Sequence, residues 1–147
     1  MDNVLYSSKI TRWRTPPSLF GKLNDEFHFT LDAAASDDNA LCRNYYTKAT
    51  DGLAQSWDGE TVFCNPPYGT RLTDAWVRKG SEIKRGICVM LLAARTDTRR
   101  WHRWIQWQAE VRLLPGRVHF LNPDGSDAGP APFPSAVVIW HHLWKER

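Results

Sequence analysis

Val62-Phe63-Cys64-Asn65-Pro66-Pro67-Tyr68-Gly69 is the stretch from which the fold of this 147-residue chain can be read. Thr61, Val62 and Phe63 are β-branched or aromatic, as strands prefer. Pro66 and Pro67 carry no backbone N–H and cannot continue the interior of a sheet. Each also drives the residue before it toward extended geometry. A short buried strand is therefore expected to stop at a stiff, aromatic-capped loop. In open α/β sheets, ligands bind at the C-terminal ends of strands.

The loop suits one kind of chemistry, methylation of an exocyclic amine. The lone pair of such a nitrogen is delocalised into its ring, so the amine is a poor nucleophile. Two acceptors aimed at its two N–H bonds draw it toward a tetrahedral, more reactive state. The Asn65 side-chain oxygen supplies one acceptor, and the Pro66 carbonyl, held by the proline-fixed backbone, supplies the other. Pro67 stiffens the turn, and Tyr68 offers a face on which an extruded base can stack. Transfer then depends mainly on in-line positioning. A proline-rich turn closing over a buried tyrosine would use the same residues.

Upstream, Thr15-Pro16-Pro17 is expected to open a helix, with Thr15 as N-cap and Pro16 at the first helical position. Leu19, Phe20, Leu23 and Phe27 then give one apolar face. Phe29 to Leu31 reads as a strand with Asp32 at its end, followed by Ala33-Ala34-Ala35. An acid there can accept hydrogen bonds from an ammonium or a ribose hydroxyl, or simply form a turn. Asn44 to Thr47 is a short aromatic segment that could form a strand. In the loop Asp51-Gly52-Leu53, the carboxylate can take a purine amine while Leu53 packs on the ring. Taken locally, a plain loop accounts for it better.

Downstream, Leu72, Ala75, Trp76 and Lys79 suit a helix. Gly86 to Ala93, the most apolar run, suits a strand buried on both faces. A polar loop, Arg95-Thr96-Asp97-Thr98, follows, and Thr98 can cap a helix from Arg99 to about Ala109. Trp101, Trp104 and Trp107 would share its core face. Arg95, Arg99, Arg100 and Arg103 would make either a phosphate-facing surface or a solvated basic one. Glu110 to Leu114 and Arg117 to Leu121 read as strands about the Pro115-Gly116 turn. Asn122 to Phe133, rich in Pro, Gly and Asp, reads as a mobile loop, and Ala136 to Trp140 as a final buried strand. The expected fold is α/β, a mostly parallel sheet with an antiparallel edge hairpin and helices on both faces. Residues 1–10 read as a flexible N-terminal segment and residues 11–147 as a single domain.

Net charge is +3 and the pI near 8.9, a mild tilt toward anionic partners. No apolar run is long enough to cross a membrane, and Met1-Asp2-Asn3 has neither the basic region nor the apolar stretch of a signal peptide. The three cysteines, Cys42, Cys64 and Cys88, fit no zinc spacing and argue against a disulfide framework. Reduced thiols suit a cytoplasmic setting. The five histidines show no metal-ligand spacing, so no metal site is expected. Eight tryptophans could fill a core or form stacking surfaces.

Taken in order, these loops resemble the phage-type, Dam-like DNA N6-adenine methyltransferases. The residues that carry the resemblance are Thr15-Pro16-Pro17 with Leu19-Phe20, Phe29 to Ala34, Asp51-Gly52-Leu53-Ala54 with Trp57, and Asn65 to Gly69. Leu91-Leu92 through Thr98, Gly116-Arg117 with Phe120, and Pro132 to Ala136 complete it, so that it runs from about Thr11 to Trp140. The resemblance implies a Rossmann-like class I methyltransferase core that uses S-adenosyl-L-methionine. It implies that Thr15 and Pro16 touch the methionine part of that cofactor. Asp32 and Ala33 would lie in the strand-end cofactor motif, Asp51 and Leu53 would hold the cofactor's adenine, and Asn65 to Tyr68 would be the catalytic loop. Ala33-Ala34-Ala35-Ser36 stands where many amino-methyltransferases carry a glycine-rich motif.

Duplex DNA is the implied substrate, approached by Arg95, Asp97, Arg99, Arg100 and Arg117. No obligate protein partner is evident, and the setting implied is the cytoplasm, that of a bacterial host if the chain is phage or prophage encoded. Because the loop itself recognises only a planar NH2 group, an RNA adenine or a protein glutamine amide could serve as acceptor. A non-catalytic nucleic-acid-binding domain of the same fold is a further alternative, disfavoured by the intact Asn65 and Tyr68.

Overall fold

A computed structural model of the chain describes residues 13–141. The N-terminal segment 1–10, the domain's start at residue 11 and His142 lie outside the described residues. Five strands form the main sheet: β1 (Leu31–Asp32), β2 (Thr61–Cys64), β3 (Ile87–Ala93), β4 (Glu110–Leu113) and β7 (Ser135–His141), in the order β1-β2-β3-β7-β4. β1 pairs with β2, and β2 with β3, in parallel; β7 runs antiparallel to both β3 and β4. The sheet is thus mixed, with two parallel and two antiparallel pairings.

The antiparallel element is not an edge hairpin. β7 lies inside the sheet, paired with β3 from Ile87↔His141 to Ala93↔Ser135. Seven consecutive residues of mainly β-branched and aromatic character, buried almost throughout, make it a central strand. The expected hairpin partner of β4 pairs elsewhere. β5 (His119–Leu121) and β6 (Asp127–Pro130) form their own two-stranded sheet. The stretch read as a mobile loop, residues 122–133, therefore contains a hydrogen-bonded strand.

Alternation along β3 and β7 sends side chains into two cores. Cys88, Met90, Leu92, Val138 and Trp140 join one; Val89, Leu91, Val137 and Ile139 join the other. Helix α2 (Thr70–Ser81) contributes Val77 to the first, and helix α1 (Pro17–Phe27) contributes Phe20 and Leu23 to the second. The strands read from apolar runs thus stand where the runs are densest.

Two helix starts differ from expectation. Pro16 is the extended residue before α1 (φ −60, ψ 132), and Pro17 takes the first turn. Thr15 makes no cap, because Pro16 and not Thr15 holds the N-cap position. After β3, Thr98 does accept the Trp101 N–H (3.4 Å), but the helix that follows is a π turn, Trp101–Ile105, closed by Gln106 N–H donating to the Trp101 carbonyl at 2.8 Å. The wider turn and its early end break the three-residue spacing. Trp101 is buried and Trp104 half-buried, but Trp107, expected in the core, has φ 68 and is 88% exposed.

Candidate active site

β1, β2 and β3 end at one edge of the sheet, and so does β4, which shares their direction because both β3 and β4 oppose β7. The residues leaving that edge are those after Asp32, Cys64, Ala93 and Leu113. The β5–β6 hairpin is fastened to the same region, since Arg14 and Leu121 exchange backbone hydrogen bonds of 2.8 and 3.0 Å. Trp13 stacks on Phe120 with ring centroids 5.1 Å apart.

Between these parts lies a cleft of about 280 Å³ lined by Trp13, Arg14, Thr15, Asp32, Leu41, Phe63, Asn65 and Leu121, among others. It brings together Thr15, Asp32 and Asn65, three residues singled out from widely separated loops. Pro16, Ala33, Pro66, Pro67, Tyr68, Asp51 and Leu53 do not line it. Ala33 is buried, its N–H donating to the Phe63 carbonyl at 3.0 Å, which locks the end of β1 onto β2. Asp51 and Leu53 sit on the adjoining turn, which is pressed close to this strand end: a Cβ on Gly52 would lie 2.4 Å from the Ala33 carbonyl oxygen.

Asn65 follows β2 directly. Its Nδ2 donates to Thr15 Oγ1 at 3.1 Å and to the Trp13 carbonyl at 3.5 Å. The Tyr68 hydroxyl donates to Asn65 Oδ1 (3.1 Å) and to the Leu91 carbonyl (3.3 Å). The Pro67 carbonyl accepts from Thr73 Oγ1 at 2.8 Å, seating the loop on α2, and the chain leaves through Gly69 at φ 138. The stacking face expected of Tyr68 is covered. The ring is 5% exposed and packs against Phe120 and Phe133, with centroids at 5.8 and 5.3 Å. In this arrangement Tyr68 presents its hydroxyl, and burial pushes the phenol well above its usual pKa.

Asp32 is a buried carboxylate whose Oδ2 accepts the Leu41 N–H at 3.1 Å. Burial raises its pKa to about 6 against the pull of the Leu41 and Ala34 N–H groups. A carboxylate so desolvated is short of positive charge or hydroxyl donors, and an ammonium or ribose hydroxyl entering the cleft would supply them. The neighbouring Cys42 thiol is pushed up to about 12 by burial and by Asp32, so it is no nucleophile.

Arg95 is half-buried, while Asp97, Arg99 and Arg117 are exposed; Arg95 and Asp97 lie in the loop leaving β3, and Arg117 in the loop leaving β4. Arg100 is paired within the fold. Its Nε lies 2.6 Å from Asp74 Oδ1 with only 12% of the side chain exposed, so it ties the π turn to α2.

The sequence pattern of the DNA N-6-adenine-methyltransferase (Dam) family matches residues 4–147. The chain belongs to that family. A DNA N-6-adenine-methyltransferase of Escherichia phage T1 is 35% identical over 116 residues, which cover 76% of this chain and 45% of the phage protein. The putative methyltransferase YfdM of Escherichia coli K12 is 39% identical over 64 residues, 39% of this chain and 70% of that protein. The chain thus matches just under half the length of the phage T1 relative.

In this Dam-family chain the cleft also uses residues that sequence reasoning missed. Trp13 and Arg14 stand just ahead of the Thr15-Pro16-Pro17 motif, and Leu41 follows the Asp37-Asp38-Asn39 turn. Arg14 pairs with Asp38 at 2.8 Å, strapping the segment before α1 to that turn. A lone arginine beside a motif carries no sign of its partner. The one available signal was the alternation Trp13-Arg14-Thr15, which fits an extended segment facing two ways.

Proposed function

We propose that this chain methylates N6 of an adenine swung out of duplex DNA, with S-adenosyl-L-methionine as the methyl source. The observation that carries the reading is the Asn65 carboxamide at the end of β2, lining one cleft with the buried Asp32 carboxylate. Family membership and the name of the phage T1 relative support DNA over the RNA and glutamine acceptors that the loop alone leaves open. The reading takes residues 11–147 as one domain with a Rossmann-like class I core, α1 on one sheet face and α2 on the other, working in the cytoplasm of a bacterium or a phage-infected host.

The cofactor supplies an electrophilic methyl group on a sulfonium. Asp32 accepts hydrogen bonds from its polar groups, Thr15 lines the same cleft, and Pro16 and Ala33 follow these two residues in the chain. Asp51 and Leu53, on the adjoining turn, hold its adenine. Asn65 Oδ1 and the Pro66 carbonyl accept the two N–H bonds of the target amine and make its lone pair available. Pro67 and Tyr68 hold that geometry, and because its hydrogen bonds are set before the base arrives, little reorganisation is needed at transfer. Arg95, Asp97, Arg99 and Arg117 meet the DNA backbone around the extruded base.

The test uses methyl-labelled S-adenosyl-L-methionine with duplex DNA, RNA and protein in parallel. Label recovered as N6-methyladenine in DNA is expected. Label only in RNA or in protein would overturn the reading.

A further inference from the structure

We propose that Thr15 is a positioning residue for Asn65, holding the carboxamide in the direction that the Trp13 carbonyl sets. The proposal deepens the methylation reading and rests on it. The two ends of a carboxamide are nearly the same size, so partners decide its direction. The Trp13 carbonyl can only accept and so sets the direction, whereas the Thr15 and Tyr68 hydroxyls could serve either end; the Tyr68 hydroxyl lies on the opposite side, 3.1 Å from Oδ1. Thr15 Oγ1, at 3.1 Å, is the shorter of the two acceptors for Nδ2. With Thr15 6% exposed, water has little room to replace it.

Direction matters because the target amine brings two N–H donors. Oδ1 facing the amine accepts one of them; Nδ2 facing it would set donor against donor. Thr15 therefore acts on the reaction through Asn65.

Thr15→Val keeps the branched shape and removes the acceptor, and Thr15→Ser restores it. Cofactor affinity is read by calorimetry with S-adenosyl-L-methionine, and transfer by the single-turnover rate at saturating cofactor and DNA. Thr15→Val should slow transfer by about 10- to 100-fold, the scale of a misplaced catalytic group, with cofactor affinity within about twofold and Thr15→Ser close to wild type. Weakened cofactor binding with an unchanged saturated rate would overturn the proposal and make Thr15 a cofactor contact. A rate unchanged in both respects, or a loss that Thr15→Ser fails to restore, would overturn it as well.

A second readout needs no catalysis. In asparagine-15N-labelled protein, the Asn65 side-chain NH2 pair, assigned by its loss in Asn65→Asp, should shift and exchange faster in Thr15→Val. An unmoved pair refutes the contact. A wild-type protein that labels no DNA would refute the methylation reading, while this spectrum still decides the contact.

Discussion

Asn65 is held from three sides before any substrate arrives, which makes it costly to replace in one respect only. Asn65→Ala removes an acceptor and leaves the Asp32 end of the cleft intact. It should lower the saturated transfer rate by about 100- to 1000-fold, the scale of losing one preorganised hydrogen-bonding group, with cofactor affinity changed less than about threefold by calorimetry. Asp32 gives the complementary case. Its carboxyl is raised to about 6 by burial, so it is protonated below that pH and ionised above it. Ionisation in the folded state is the unfavourable step; the stability contributed by the neutral acid is present at low pH and lost as pH rises through about 6. Cofactor binding to the ionised form has the opposite sign and should weaken by about tenfold between pH 7 and pH 5. In Asp32→Asn, calorimetry should find weaker binding that no longer varies across this window. Without cofactor, that variant should melt above wild type at pH 7, by a margin that narrows toward pH 5. These residues were legible because each stands at the end of a strand, Asp32 closing β1 and Asn65 following β2. The Tyr68 hydroxyl's hold on Asn65 was not, because a tyrosine after two prolines can turn its ring outward or inward, and only the Phe120 and Phe133 rings, remote in sequence, decide for inward.

Elements divide the same way. β2, β3 and β7 were legible from dense β-branched and aromatic content, and α1 from its spacing of Leu19, Phe20, Leu23 and Phe27. Pairing was less so. Glu110 to Leu114 and Arg117 to Leu121 both read as strands, but the turn between them does not join them, since β7 takes β4 and the later Asp127–Pro130 takes β5. Propensity identifies a strand; it carries no mark of a neighbour that arrives later in the chain. The π turn was missed for a related reason. Trp101, Trp104 and Trp107 fit helical spacing, and only the closure at Gln106 reveals the extra residue per turn. Arg100 belongs to this scale, fastening that turn to α2 through Asp74. Arg100→Ala should lower the melting temperature, with a loss of about 1–2 kcal/mol for a partly exposed pair. DNA affinity of the folded protein should stay nearly unchanged in filter binding.

At the scale of the whole molecule, the net charge of +3 is too small to hold DNA by itself; the placement of exposed arginines at one edge matters more than their number. Arg99→Ala should weaken DNA binding about equally for different sequences and reduce the slope of log affinity against log salt by about 1. A slope unchanged within error would remove Arg99 from the interface. Among the described residues, no helix is long and apolar enough to cross a membrane. The class of the fold was legible because strands and helices alternate through the first two-thirds of the chain. The mixed character of the sheet was not, since it depends on where the last strand inserts. That insertion bears on how the chain comes off the ribosome. β3 gains its second neighbour only when β7 emerges, after every other strand of the sheet, so the nascent chain carries an open, apolar strand edge while the residues between the two strands are made. Completion of the sheet therefore waits for its last strand, and exposure of that edge during synthesis follows from strand order alone.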